Sequence, residues 1–205
     1  PSSQPTGSIL LRQWTNFPLT ARVPDGRYSL RLAAYGTEGE AQLGQKQGLL
    51  LGHITVKGRE RTFEVPEMGT QVGAILDRRV TLLGFDLDSR THRPGDQIRL
   101  TLYWRARTEV DTSYKVFVHL IGADGTIVAQ QDSIPHYGKW PTTGWVQDEV
   151  ISDEYVLSVS PTTPSGTYHL IAGMYRPDTG ERLTATAGND TPLGDYIPLT
   201  QITLK

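Results

Sequence analysis

Short runs of alternating apolar and polar residues, separated by Gly, Pro and Asp-Gly turns, fill most of the chain. The cleanest is Gln97–Arg105. There Ile98, Leu100, Leu102 and Trp104 point one way, and Arg99, Thr101, Tyr103 and Arg105 the other, the period of a half-buried strand. Arg79–Leu87, Tyr114–Ile121, Thr126–Gln131, Glu149–Val159, Thr167–Tyr175 and Tyr196–Leu204 read as further strands. Arg93-Pro94-Gly95-Asp96 is a turn, and Gly122-Ala123-Asp124-Gly125 is a hairpin connection whose Gly accepts a positive φ. Upstream, Ser8–Trp14, Arg27–Tyr35, Leu49–Val56 and Arg61–Val65 are expected strands, and Phe17–Val23 leads into the turn at Pro24. Pro1–Gly7 reads as a linker, and Gly36–Gly48 and Ala185–Asp195 as polar loops. No segment carries a helical stripe. The pattern predicts an all-β protein.

The chain repeats itself. Pro24–Tyr35, PDGRYSLRLAAY, returns as Pro164–Tyr175, PSGTYHLIAGMY, with Pro, Gly, Tyr, Leu and the last Tyr in step. Tyr28, Leu30, Leu32 and Ala34 share one face of the first copy, and Tyr168, Leu170, Ala172 and Met174 one face of the second. Ser8–Trp14 aligns with Glu149–Tyr155, and Leu51–Val56 with Leu199–Leu204. The expected organisation is therefore a partial sandwich copy over residues 1–66, its second half only, then a complete immunoglobulin-like antiparallel β-sandwich over 67–205. The boundary is set at Pro66–Gly73, and the chain is expected to begin part-way through an upstream copy. Val159-Ser160-Pro161 followed by Tyr168 resembles a tyrosine corner, which favours the immunoglobulin-like sandwich over a barrel. Half a sandwich exposes an apolar face, so the first copy needs a cover: the second domain, another copy, or residues not in the chain.

Composition narrows the function. A net charge of −2 without a basic run argues against nucleic acid. No apolar run reaches the length of a membrane helix. Without cysteine there are no disulfides, thiolate zinc sites or cysteine nucleophiles in the chain.

Candidate chemistry concentrates in Ser133–Gln147. His136, Tyr137, Trp140 and Trp145 lie close together, beside Lys139, Asp148 and Glu149. Flat rings stack on the C–H faces of sugars while neighbouring polar groups bind hydroxyls. Tyr137, Trp140 and Trp145 are the candidate stacking residues, with His136 and Asp148 as hydrogen-bonding partners. The competing reading is that these rings plug the open end of the sandwich. Asp86, Asp88 and Asp96 are the carboxylates from which a calcium site would be assembled, although no D-x-D-x-D-G loop supports one. No other cofactor is expected. Asp148-Glu149 and Asp153-Glu154 point to opposite faces of a strand and make poor glycosidase pairs. The five histidines show no zinc spacing, and His119 and His169 are expected as partly exposed sheet residues. There is no G-x-S-x-G elbow and no phosphate loop.

LLGFDLDS, RPGDQIRLTLYWRA, YKVFVHLIGADGTIVAQQDS, the KWPTTGW loop and EVISDEYVLSVSPTTPSGTYHLIAGMYRPDTGERL together carry a resemblance. The run resembles a β-sandwich region found C-terminal to polytopic membrane glycosyltransferases of the dolichyl-phosphate-mannose mannosyltransferase type in Chloroflexus-like bacteria. The resemblance implies an extracytoplasmic, cell-surface accessory domain of a membrane protein, with transferase chemistry in membrane segments outside this chain. Its motifs are turns and strands, so it transfers no catalytic residue. The expected function is a non-catalytic accessory module that binds or presents glycan. The alternative is a structural spacer or protein–protein module, with itself or its parent chain as partner.

Overall fold

The structure, a computed structural model, describes residues 23–35, 41–43 and 48–205. The expected linker Pro1–Gly7, the strand Ser8–Trp14 and nearly all of Phe17–Val23 lie outside the described residues. The strands are β1 (Gly26–Leu32), β2 (Ala34–Tyr35), β3 (Ala41–Leu43), β4 (Leu49–Val56), β5 (Thr70–Leu76), β6 (Val80–Leu87), β7 (Thr91–His92), β8 (Gln97–Ala106), β9 (Lys115–Ile121), β10 (Ile127–Ser133), β11 (Val150–Ser158), β12 (Gly166–Tyr175), β13 (Ala185–Thr186), β14 (Pro192–Gly194) and β15 (Ile197–Leu204). Among the described residues, a 3-10 turn spans Thr142–Gly144.

Two sheets form an immunoglobulin-like sandwich. One runs β10-β9-β12-β15-β7, the other β11-β8-β6-β5-β13-β14. Pairing is antiparallel except between β15 and β7. The core forms where the sequence pattern places it. Ile98, Leu100, Leu102 and Trp104 of β8 join Val116, Val118 and Leu120 of β9 and Tyr168, Leu170, Ala172 and Met174 of β12 in one buried cluster. The outward residues of β8 are exposed or half-buried. Gly125 takes φ +81° in the β9–β10 hairpin, the conformation for which the Asp-Gly pair was read.

Four local expectations are corrected. Thr70–Leu76 is a strand, within and beyond the stretch read as a boundary. Its alternation is broken by a bulge between Gln71 and Ala74, with Gly73 at φ +70°, and a bulge hides a period of two. Arg61–Val65 is not a strand; only Thr62 forms a bridge, to Val150. The stretches read as loops contain β3 and the short strands β13 and β14, the last two extending the sheet beyond β5. His119 is buried rather than partly exposed: it lies beside Phe117 and bonds Asp132 Oδ1 at 2.9 Å. Phe117 faces away from the core and is covered by the Arg182 guanidinium, 4.4 Å from its ring centroid. Its ring lies over Gly173, where a Cβ would come within 2.4 Å of it. Any side chain at that position would require the Phe117 ring to shift.

The tyrosine corner is present. Tyr168 donates its hydroxyl to Pro164 O at 2.8 Å. Tyr28 does the same to Pro24 O, also at 2.8 Å. Tyr168→Phe removes the donor from a part-buried bond. It is expected to cost about 1 kcal/mol, read as a lower denaturation midpoint with an unchanged m-value. No change in midpoint would mean that water replaces the bond at no cost.

Candidate functional site

The aromatic loop carries the chain from β10 in one sheet to β11 in the other, across the edge of the sandwich. Two buried carboxylates anchor it. Asp153 lies on the core-facing side of the edge strand β11. Its Oδ1 accepts the His136 backbone N–H at 2.7 Å, and its Oδ2 accepts the Tyr155 hydroxyl at 2.6 Å. Burial pushes the Asp153 carboxyl above the usual range against these bonds, and burial beside that carboxylate pushes the Tyr155 phenol well up.

Glu149 is the second anchor and is fully buried. Its Oε2 accepts from Arg61 Nη1 at 2.6 Å and from the Val146 N–H at 3.0 Å. Its Oε1 lies 2.5 Å from Arg59 Nη1, an ion pair out of hydrogen-bond alignment. Val150 N–H donates to Thr62 O at 2.7 Å, so the segment leaving β4 is bound to the start of β11. Burial holds the Arg59 guanidinium below its ordinary value, with Glu149 opposing that shift. Arg59 Nη2 is buried and has no hydrogen-bond partner among the described residues.

These anchors set the candidate residues in different places. Trp145 is wholly buried and donates Nε1–H to Trp140 O at 3.1 Å. It is a core plug with no face for a ligand, and the stacking role expected of it is withdrawn. Trp140 is half-buried, with His136 stacked on it at 3.8 Å and 10° and the Arg59 guanidinium 4.5 Å from its centroid. Asp148 is exposed at φ +64° and lines neither recess described below. Tyr137 is 55% exposed. It is held outward by three consecutive residues with positive φ, His136 at +54°, Tyr137 at +54° and Gly138 at +87°. Backbone held in such a region requires surrounding bonds to fix it. Asp153 supplies one, and Gly138 N–H to Ile134 O at 2.8 Å another.

Two recesses flank this turn. One, of about 410 Å³, lies on the outer face of β6, β8 and β11 and is lined by Asp86, Arg99, Thr101, Tyr137, Glu154 and Val156 among others. Register places Asp86 opposite Thr101 and Thr101 opposite Glu154, a polar row across three strands. Asp86 Oδ2 accepts the Tyr103 hydroxyl at 2.7 Å, a bond that pushes the Tyr103 pKa up to about 12. The other, of about 240 Å³, is lined by Arg59, Thr62, His136, Trp140, Ser152 and Glu154 among others. Glu154 borders both.

Sequence reasoning placed Tyr137 and His136 at the site but not Arg59, Asp86, Thr101 or Glu154. For Thr101 the signal available was the polar face of β8; Asp86 on β6 and Glu154 on β11 join it only through the strand register. The carboxylates considered for calcium are engaged locally. Asp86 Oδ1 accepts Gly69 N–H, Asp88 accepts Ser89 and Arg99 N–H, and Asp96 accepts Arg93 N–H. Among the described residues no group of three or more His, Asp or Glu is placed to hold a metal ion.

No family model and no curated protein matches the chain. Solved structures with similar folds include the C-terminal domain of wzt, at 11% identity over 69% of this chain and 82% of that one, TM-score 0.44. A Niemann-Pick type C2 protein from the Japanese carpenter ant matches at 8% identity over 60% and 91%, TM-score 0.37. A CARDB domain from Pyrococcus furiosus, solved in complex with di-metal ions, matches at 10% identity over 69% and 99%, TM-score 0.33. At these scores none of them assigns a ligand or a site to this chain.

Two predictions test the anchors. Replacing both Arg59 and Arg61 with Ala leaves the Glu149 carboxyl buried without its cationic partners. The double variant is expected to lose about 3 kcal/mol or more in urea unfolding, whereas a change below about 1 kcal/mol would show that water reaches Glu149 freely. For Asp153 the sign follows from its raised native pKa: the native state binds more protons than the unfolded chain. Its contribution to stability is therefore greatest below the unfolded carboxylate value and declines as pH rises through the native pKa. The stability of wild type relative to Asp153→Asn is expected to increase as pH falls from neutral towards about 4. A pH-independent difference would overturn the assignment.

Proposed function

We propose that the sandwich is a non-catalytic accessory module that holds a glycan on the outer face of β6, β8 and β11, with the Tyr137 ring as the stacking platform. The observation that carries this reading is an exposed ring on a rigid, positive-φ turn beside a row of hydrogen-bonding groups, Asp86, Thr101 and Glu154. A turn whose backbone is already held in one conformation loses little entropy when ligand arrives. Arg99 donates to hydroxyls beside the row. Arg59, with a buried donor lacking a partner, offers a second contact in the adjoining recess. Trp140 then supports the turn instead of facing the sugar, and His136 stands at the margin as a polar contact, whereas Asp148, which lines neither recess, is not part of the site. The resemblance to sandwich regions of membrane glycosyltransferases supports an extracytoplasmic setting in such a parent protein. Calcium is a proposed addition only, to be tested alongside the glycan.

A second reading, a spacer or protein-interaction module without a small ligand, is favoured by the exposed apolar face of the β1–β4 hairpin.

A glycan-array screen with and without calcium discriminates between the two readings. Binding is expected in the wild type and is expected to fall at least about tenfold in Tyr137→Ala, with an unchanged melting curve because the ring is exposed. Trp145→Ala serves as the contrast and is expected to lose about 3–5 kcal/mol of stability. Silence across the array, or binding indifferent to Tyr137, would overturn the glycan reading.

A further inference from the structure

Taking the glycan reading of this face as given, we infer that the ligand is an uncharged oligosaccharide of at least two units. Two adjoining subsites hold it, and Glu154 is the hydrogen-bond acceptor they share.

The two recesses follow one another along the outer side of β11. The outward positions of that strand are Ser152, Glu154 and Val156, between the buried Asp153 and Tyr155. Ser152 lines the recess of about 240 Å³, Val156 lines the one of about 410 Å³, and Glu154 lines both. From Ser152 to Val156 the strand rises about 13 Å, at about 3.3 Å per residue. That span exceeds a single sugar ring, so one unit does not fill both recesses. The turn after β10 contributes a wall to each. Tyr137 lines the larger recess, and the stacked pair of His136 and Trp140 lines the smaller. One unit stacks on Tyr137, and its neighbour along the chain lies against the side of the supporting stack.

Glu154 is the carboxylate left open at this face. Asp86 accepts Gly69 N–H and the Tyr103 hydroxyl. Asp88 accepts the Ser89 and Arg99 backbone N–H groups. Glu154 is exposed, and its carboxylate makes no hydrogen bond or ion pair among the described residues. A carboxylate has two oxygens and about four acceptor sites, enough to take a hydroxyl from each of two adjacent units. Thr101, opposite Glu154 in the β8–β11 ladder, adds a hydroxyl beside it.

The same carboxylates select against anions. Asp86, Asp88 and Glu154 line the larger recess, with Arg99 opposing them. In the smaller recess Arg59 is already ion-paired with Glu149, and Glu60 and Glu154 stand beside it. A lining with excess negative charge repels a glycan that carries carboxylate or sulfate groups. Hydroxyl groups instead find charged acceptors, which make the stronger hydrogen bonds.

The test is calorimetric titration of the 205-residue protein with length series. The neutral series are gluco-, manno-, galacto- and N-acetylglucosamine oligosaccharides, from mono- to hexasaccharide. Oligogalacturonides of the same lengths are the anionic counterpart. Among the neutral sugars the trisaccharide is expected to bind at least about tenfold more tightly than the monosaccharide, because the second contact becomes intramolecular. The galacturonide of equal length is expected to bind at least about tenfold more weakly at low salt, with the gap narrowing at about 1 M salt. Glu154→Gln, at an exposed position, is expected to melt as the wild type does. It is expected to weaken neutral trisaccharide binding at least about fivefold and to narrow the gap to the galacturonide. Equal binding of mono- and trisaccharide, still lost in Tyr137→Ala, would overturn the shared-subsite inference and leave the glycan reading standing. So would a preference for galacturonides, or binding indifferent to Glu154→Gln. Silence in every series would overturn both.

Discussion

A carboxylate shut away from water must have its charge answered by fixed donors, and this sandwich shuts away two at one edge. Glu149 and Asp153 stand at and inside the start of β11, and both are fully buried. Asp153 collects a backbone N–H from the loop and a hydroxyl from its own strand. Glu149 collects the loop's Val146 N–H and two guanidinium groups from the segment that leaves β4. The loop, at two points, and the segment leaving β4 are thereby fastened to the start of one strand. Such pairs add less net stability than their short distances suggest, because desolvation offsets the attraction. Their effect is specificity: alternative loop placements would strand a buried charge.

The candidate site follows from that fastening. The loop crosses from sheet to sheet, and with His136 N–H bound to Asp153 the chain turns through positive φ and presents Tyr137 to solvent. The rings divide by depth. Trp145 goes into the core, Trp140 is half-buried against the His136 ring and the Arg59 guanidinium, and of the three Tyr137 is the exposed one. The polar row Asp86–Thr101–Glu154 comes from strands distant in sequence, brought opposite one another by backbone pairing.

The two hairpins show how strongly a short pattern can dictate geometry. A Pro-x-Gly turn, a Tyr two residues later and an alternating run produce the same corner, register and bulge twice. Yet matching positions are buried in one case and exposed or half-buried in the other. Local chemistry builds the hairpin, and burial depends on what else packs against it.

The sequence by itself determined the strands with clean alternation, the turns between them, the inward face of β8, the tyrosine corner and the internal repeat. Each depends on interactions within a few residues or on a period that the pleat imposes. Tertiary structure decided the rest. It made a strand of Thr70–Leu76 despite a bulge that breaks its period, and it buried His119 under an outer-face cluster built around Phe117 and Arg182. It also sorted three neighbouring aromatic residues into buried, half-buried and exposed. Burial and register are sums over residues far apart in the chain, and no local window contains them.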